Sequence, residues 1–167
     1  MQEKLTKKDV EKIQAEIDHR KLEVRPQILD AVREARAQGD LSENFEYYAA
    51  RRENGSNNSR IRYLENMLKN AVIVEDSSSV DEVGLNKSVT VYLEEDDEYE
   101  TYKIVTSIRA NSRENRISIE SPLGKALLHH REGDRVTITV NSDYSYDVVI
   151  EKISDADEDE NDNIRGF

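Results

Sequence analysis

Residues 39–44 read GDLSEN, and the fold depends on whether this stretch ends one helix and opens another. On its N-terminal side Val10, Ile13, Ile17, Val24, Ile28, Val32 and Ala35 recur at steps of three, four or their sum. That spacing draws one narrow apolar stripe along a helix. On its C-terminal side Tyr47, Ala50, Asn54, Asn57, Ile61, Leu64, Leu68 and Ala71 keep strict three-four spacing, the seam of a coiled coil. Gly39 suits the left-handed backbone that ends helices, and Asp40 or Ser42 can open the next one. GDLSEN therefore reads as the bend of a helical hairpin.

The first helix opens with Thr6 as N-cap, Asp9 as its capping-box partner, and Leu5 with Val10 placed to form a hydrophobic staple. Arg25-Pro26 interrupts the stripe, because proline lacks a backbone donor and clashes with the preceding turn. A kink is expected, or a restart with Pro26 at the first helical position. In the second arm ENGSNNS, residues 53–59, is poor helix material and taken alone reads as a loop. Folding about Leu41 brings Asn57 roughly level with Pro26, which predicts an antiparallel coiled coil with one irregular level partway along. From Thr6 to Asp40 the arm spans about 50 Å at helical rise, long enough to enter a deep hole.

After Glu75 the period changes to two. Val89, Val91 and Leu93 alternate with other side chains, and YETYKIVTSI, RISIES, RVTITV and SYDVVIEKI follow. One helix candidate, SPLGKALLHH, has Ser121 as N-cap and Pro122 at its first position. Five strands and one helix make a compact α+β unit. The expected plan is α+β: a coiled-coil hairpin over 1–75 with an acidic tip at 39–44, a sheet domain over 76–153, and a tail over 154–167. The tail carries six acids in 14 residues and reads as disordered.

Charge narrows the function. The chain has 24 Lys and Arg against 36 Asp and Glu, a net charge of −12, which disfavours strong binding of free nucleic acid. The excess lies wholly in the second half: residues 1–75 hold 14 basic and 14 acidic residues, residues 76–167 hold 10 and 22. The absence of cysteine excludes disulfides and thiolate metal sites. No apolar run is long enough for a membrane span, and MQEKLTKKDV has no signal-peptide core. A soluble cytoplasmic protein is expected.

Asp40 and Glu43 invite two readings. D-x-x-E at a helix start is a capping box, and acids there are stabilised by unpaired amides and the helix dipole. Two exposed carboxylates are also hard oxygen donors suited to Mg²⁺. Nothing else on the hairpin completes a site, so such a metal would have to be shared with another macromolecule.

GDLSENFEYYAAR (39–51), SPLGKALL (121–128) and EGDRV (132–136) together resemble the bacterial Gre transcript cleavage factors of the GreA type. The resemblance runs from about Leu5 to Ile153. It implies an N-terminal antiparallel coiled coil and a C-terminal FKBP-like domain that docks on bacterial RNA polymerase, with Ser121, Pro122, Leu123 and Gly124 in the docking surface. The coiled coil would pass through the secondary channel. Asp40 and Glu43 match the family's tip acids and would help hold a Mg²⁺ shared with the polymerase. The polymerase would then hydrolyse backtracked RNA near its 3′ end. The isolated chain would bind no cofactor and be no enzyme by itself; it would act in trans, as a monomer, without membrane contact. Asn44 and Tyr47 match the tip motif and would support it, and Arg36, Arg51 and Arg52 lie where the family has basic residues facing the transcript.

Some residues depart from the family's pattern. Phe45 stands where a small alanine is usual, Asn57 replaces an apolar seam residue, and VTSIRANSRENRISI diverges from the usual central strands. Phe45 and the unusual mid-arm segment, residues 53–59, keep open a second reading, a non-cleaving regulator occupying the same channel. A third, a folding helper, rests on the FKBP-like fold alone, and no isomerase site is identifiable. His19, His129 and His130 lack ligand spacing and receive no role; EEDDEYE (94–100) reads as an acidic loop between strands.

Overall fold

The computed structural model describes residues 2–39, 44–156 and 163–166. They fall into a helical unit built on Lys7–Ala71 and a sheet unit that takes in Lys4–Thr6 and Val72–Gly166. The helical unit begins with α1, Lys7–His19, directly after Thr6. It passes through a π-helical turn, Arg20–Val24, into α2, Arg25–Ala37. The break falls where Arg25-Pro26 predicts one, with Pro26 in the first turn of α2. Its form follows from the missing proline donor: the Arg25 amide reaches back five residues to the Arg20 carbonyl, and the chain gains one residue in that turn. Helix α2 gives way to Gln38 and then Gly39, whose φ of 110° is open to glycine and strained for other residues.

The second arm corrects one expectation. ENGSNNS is no loop: α3 runs unbroken over Phe45–Lys69, through all seven residues. Tertiary bonds outweigh its weak propensity. Buried Asn57 donates to the Arg20 carbonyl at 3.3 Å and accepts from Arg20 Nη1 at 3.0 Å, and Asn58 accepts from Arg25 Nε at 3.2 Å. The irregular level thus lies on the first arm alone, and Asn57 meets Arg20 instead of Pro26. The same pairings, with Glu16 to Arg60 near one end and Arg36 to Tyr47 near the other, fix the helices as antiparallel. Ile13, Ile17, Ile28 and Ala35 are buried on one side of the seam and Tyr47, Ala50, Ile61 and Leu64 on the other, as the spacing predicts; Met67 is buried in place of Leu68.

In the sheet unit a short parallel pair, β1 (Lys4–Leu5) with β2 (Val72–Ile73), accompanies a five-stranded sheet. The large sheet comprises β3 (Lys87–Leu93), β4 (Glu98–Val105), β5 (Arg116–Ser118), β6 (Arg135–Thr139) and β7 (Ser145–Asp155), in the order β5-β4-β3-β7-β6. All pairs are antiparallel except β4 with β5. Every predicted strand is present, and β7 extends past Ile153 to pair Asp155 with Lys87. Helix α4, Pro122–Leu127, packs Leu127 with the inward residues Val89, Val91, Ile104, Val136, Ile138, Val148 and Ile150. Of the acidic tail, residues 157–162 lie outside the described residues; beyond them the Arg165 amide donates to the Ile108 carbonyl at 2.7 Å. The architecture is mixed α+β. No described helix is long and apolar enough to cross a membrane.

Candidate functional site

Asn44 joins the two helix ends on either side of residues 40–43. Helix α3 has its N-cap at Asn44, in extended backbone geometry, rather than at Asp40 or Ser42. Asn44 Oδ1 accepts the Tyr47 amide at 3.0 Å, which satisfies one of the unpaired donors of the first turn. The same carboxamide donates from Nδ2 to the Ala35 carbonyl at 2.6 Å, in the last turn of α2. One side chain therefore ties the end of one helix to the start of the other. Asp40 and Glu43, the two acids of GDLSEN, lie outside the described residues, between these tied ends.

Tyr47 is buried on the seam one turn from the cap. The Arg36 guanidinium lies 5.6 Å from its ring centroid, and Arg36 Nη2 donates to the phenol oxygen at 3.4 Å. The hydrogen bond from Arg36 and the charges of Arg36 and Arg51 hold the phenol pKa below its ordinary value of 10, against a smaller opposing effect of burial. Arg36 and Arg51 thus converge on one ring, while Arg51 and Arg52 both remain exposed. Tyr48, which sequence reasoning missed, packs edge-on against Tyr47 with centroids 5.5 Å apart. Its signal was available: with Phe45 it places two rings three residues apart on the face away from the seam.

Farther down the arm, Glu16 accepts from Arg60 Nε at 2.8 Å and from Arg20 Nε at 2.9 Å. Burial would raise its pKa, but bonds from Arg60 and Arg20 outweigh that and hold the carboxyl below its ordinary value. This cluster fastens the two arms.

In the sheet unit Ser121 caps α4, its Oγ accepting the Gly124 amide at 3.0 Å and donating to the Ser118 carbonyl at 2.7 Å. Gly124 sits so close to β5 that an added Cβ would meet the Ser118 carbonyl oxygen at 2.0 Å. Pro122 is exposed, and Leu123 packs partly on the core. This gives the SPLG stretch a structural duty whatever else it does. Each histidine pairs with a carboxylate: His19 with Glu23, His129 with Glu82, His130 with Asp134. In the acidic loop, Glu94 accepts two bonds from the Arg135 guanidinium at 2.8 Å each, and Asp147 accepts a third at 3.0 Å. Among the described residues no group of three or more histidines and acids is arranged to hold a metal ion.

A helical hairpin whose two helices are joined by the Asn44 side chain, followed by a separate unit with a five-stranded sheet, defines a two-part protein. Residues 3–73 match the family profile of the N-terminal part of transcription elongation factors, and residues 77–155 that of the GreA/GreB C-terminal part. The chain is 46% identical to transcription elongation factor GreA of Geobacillus kaustophilus, over 80% of this chain and 85% of that one. It is 40% identical to GreA of Macrococcus caseolyticus, over 90% and 95%. Among solved structures, the transcription factor Gfh1 is 27% identical and covers 92% of this chain and 97% of its own, with a TM-score of 0.45. The chain belongs to the GreA/GreB family of transcription elongation factors.

Proposed function

We propose that the chain binds bacterial RNA polymerase in the cytoplasm, passes its hairpin through the secondary channel and stimulates the polymerase's own hydrolysis of backtracked RNA, rescuing arrested complexes. The observation that carries this reading is the cap of α3. Asn44 fills the position that the capping reading gives to Asp40. With the N-cap of α3 at Asn44 and the helix ends on either side of residues 40–43 joined through its side chain, a duty other than capping is supported for the two acids.

The chemistry follows from the side chains. The carboxylates of Asp40 and Glu43 would accept hydrogen bonds from an attacking water and orient it toward the scissile phosphate. Two carboxylates suit Mg²⁺ as hard oxygen donors and are too few to hold it alone, so the ion would be shared with the polymerase and would stabilise charge on the phosphate. Arg36, Arg51 and Arg52 would face the phosphates of the transcript, and Asn44 and Tyr47 would keep the tip in shape. Ser121, Pro122, Leu123 and Gly124 would contribute the docking surface. The chain then donates groups to another enzyme's active centre and is no complete enzyme itself.

A second reading, a regulator that fills the channel without cleaving, is favoured by Phe45, which is 84% exposed beside the bend where it could alter the fit. One experiment separates the two: cleavage of 3′-labelled RNA in stalled, backtracked polymerase complexes with Mg²⁺. The native protein is expected to stimulate cleavage, and Asp40→Ala/Glu43→Ala to abolish it while still binding polymerase. Binding without cleavage by the native protein would establish the regulator; joint loss of binding and activity in the variant would return the acids to a structural role.

A further inference from the structure

Around α3 the buried side is set by Tyr47, Ala50 and Asn57. About 180° away, over the first two turns, stand Phe45, Tyr48 and Arg52, at the i, i+3, i+7 spacing that aligns side chains in a row. Phe45 is 84% exposed, Tyr48 41% exposed, and Arg52 exposed. A single exposed ring is ordinary on any surface. Two rings and a guanidinium in line, starting at the first helical residue after the bend, form a pattern.

Within the row, Tyr48 is braced. Tyr48 meets Tyr47 edge-on at 63°, and Tyr47 is held by the Arg36 guanidinium and its hydrogen bond. The Tyr48 ring is therefore held in direction before any partner arrives, which lowers the entropy lost on binding. Aromatic faces interleaved with guanidinium groups suit single-stranded nucleic acid, whose unpaired bases stack on rings while its phosphates pair with cations. Charge decides the occupant. Arg52 continues the row and Arg51 and Arg36 lie near it at Tyr47, while the exposed Glu46 and Glu53 stand on the helix's other flank, so the guanidinium groups on the row's side complement a polyanion.

We propose that Phe45 and Tyr48 are a stacking platform for bases near the 3′ end of single-stranded RNA, with Arg52 placed for its phosphates. The proposal rests on the cleavage reading and specifies how the same tip grips its substrate. Because any base offers a π-face, the platform tolerates all four nucleotides.

The test uses the full chain in stalled, backtracked polymerase complexes, comparing native protein with Phe45→Leu, which keeps bulk without a ring, and Phe45→Trp, which keeps the ring. Photo-crosslinking from 4-thiouridine at the RNA 3′ end should label the native tip, fall about tenfold for Leu, and persist for Trp. The rate of cleavage at saturating factor should fall by a similar factor for Leu, and an abasic 3′ nucleotide should abolish the difference between Leu and native. Equal crosslinking and equal rates for native and Leu would overturn the platform. So would weaker binding of Leu to complexes that are not backtracked with an unchanged saturated rate, which would make Phe45 a contact to polymerase protein. If the native protein fails to cleave, the cleavage reading falls alone, since crosslinking still decides the platform.

Discussion

Nine aliphatic side chains, all Val, Ile or Leu, close the core of the sheet unit, whereas midway along the arm the enclosed residues include Asn57 and Arg60, joined to Arg20 and Glu16. The sheet core draws its stability from area removed from water, which is indifferent to pH. The middle of the arm depends on polar groups being fully paired, and a buried polar group that loses its partner costs more than the pair contributed. The sheet unit also buries Lys87, Arg109 and Arg116, so the contrast lies between its apolar core and the middle of the arm, which should answer to different substitutions.

The largest effect is expected in the sheet. Ile138→Ala deletes most of a fully buried side chain and should cost about 3–4 kcal/mol, through lost transfer energy and the cavity left behind. Chemical denaturation followed by amide exchange should show the loss in β3, β6 and β7 and leave the protection of α3 unchanged. Equal loss of protection in α3 would mean that the two units unfold as one and that the contrast has no thermodynamic content.

Glu16 supplies the opposite test. Its folded pKa lies below the ordinary 4.5, so its contribution is fully present above that value and disappears as pH falls through the lowered one. Acidification from pH 7 to 3 should loosen the arm in a step set by Glu16, alongside losses in the sheet unit, whose Glu82, Glu94, Glu120 and Asp134 are also held below their ordinary values by their partners. Glu16→Gln should remove that step. Glu16→Ala should cost the arm about 2–3 kcal/mol at neutral pH, below the full cost of breaking a buried pair because Glu16 retains 26% side-chain exposure. Circular dichroism of the helical signal against pH is the measurement, and an unchanged profile in Glu16→Gln would refute the assignment.

The same contrast explains what was legible in the sequence. Apolar alternation exposed every strand of the large sheet, and three-four spacing exposed both helices, because hydrophobic burial is written locally in the period. The continuity of α3 through ENGSNNS was illegible, because what holds it is Arg20 and Arg25 on the other arm, more than thirty residues away. Pro26 announced the break in the first arm, but its π-turn form depends on which carbonyl the Arg25 amide can reach. The pair β1 with β2 has two residues per strand, too few to carry a period. At the bend, Asp40, Ser42 and Asn44 are all competent caps, and the choice of Asn44 follows from the nearness of the Ala35 carbonyl, which only the folded hairpin supplies.

That choice gives the smallest and sharpest test. Asn44 performs two tasks with two atoms: Oδ1 caps α3 and Nδ2 ties it to α2. Asn44→Ala removes both and should cost about 1 kcal/mol, seen as roughly fivefold faster exchange of the Tyr47 amide. Asn44→Asp keeps a cap acceptor and loses the donor, so Tyr47 should stay protected while the tie to Ala35 is gone. If the tie positions the acids of the bend, Asn44→Asp should reduce stimulated cleavage almost as far as Asn44→Ala does, despite its intact cap. If Asp restores both protection and cleavage, Asn44 is a cap and nothing more, and the bend is held in place by other groups.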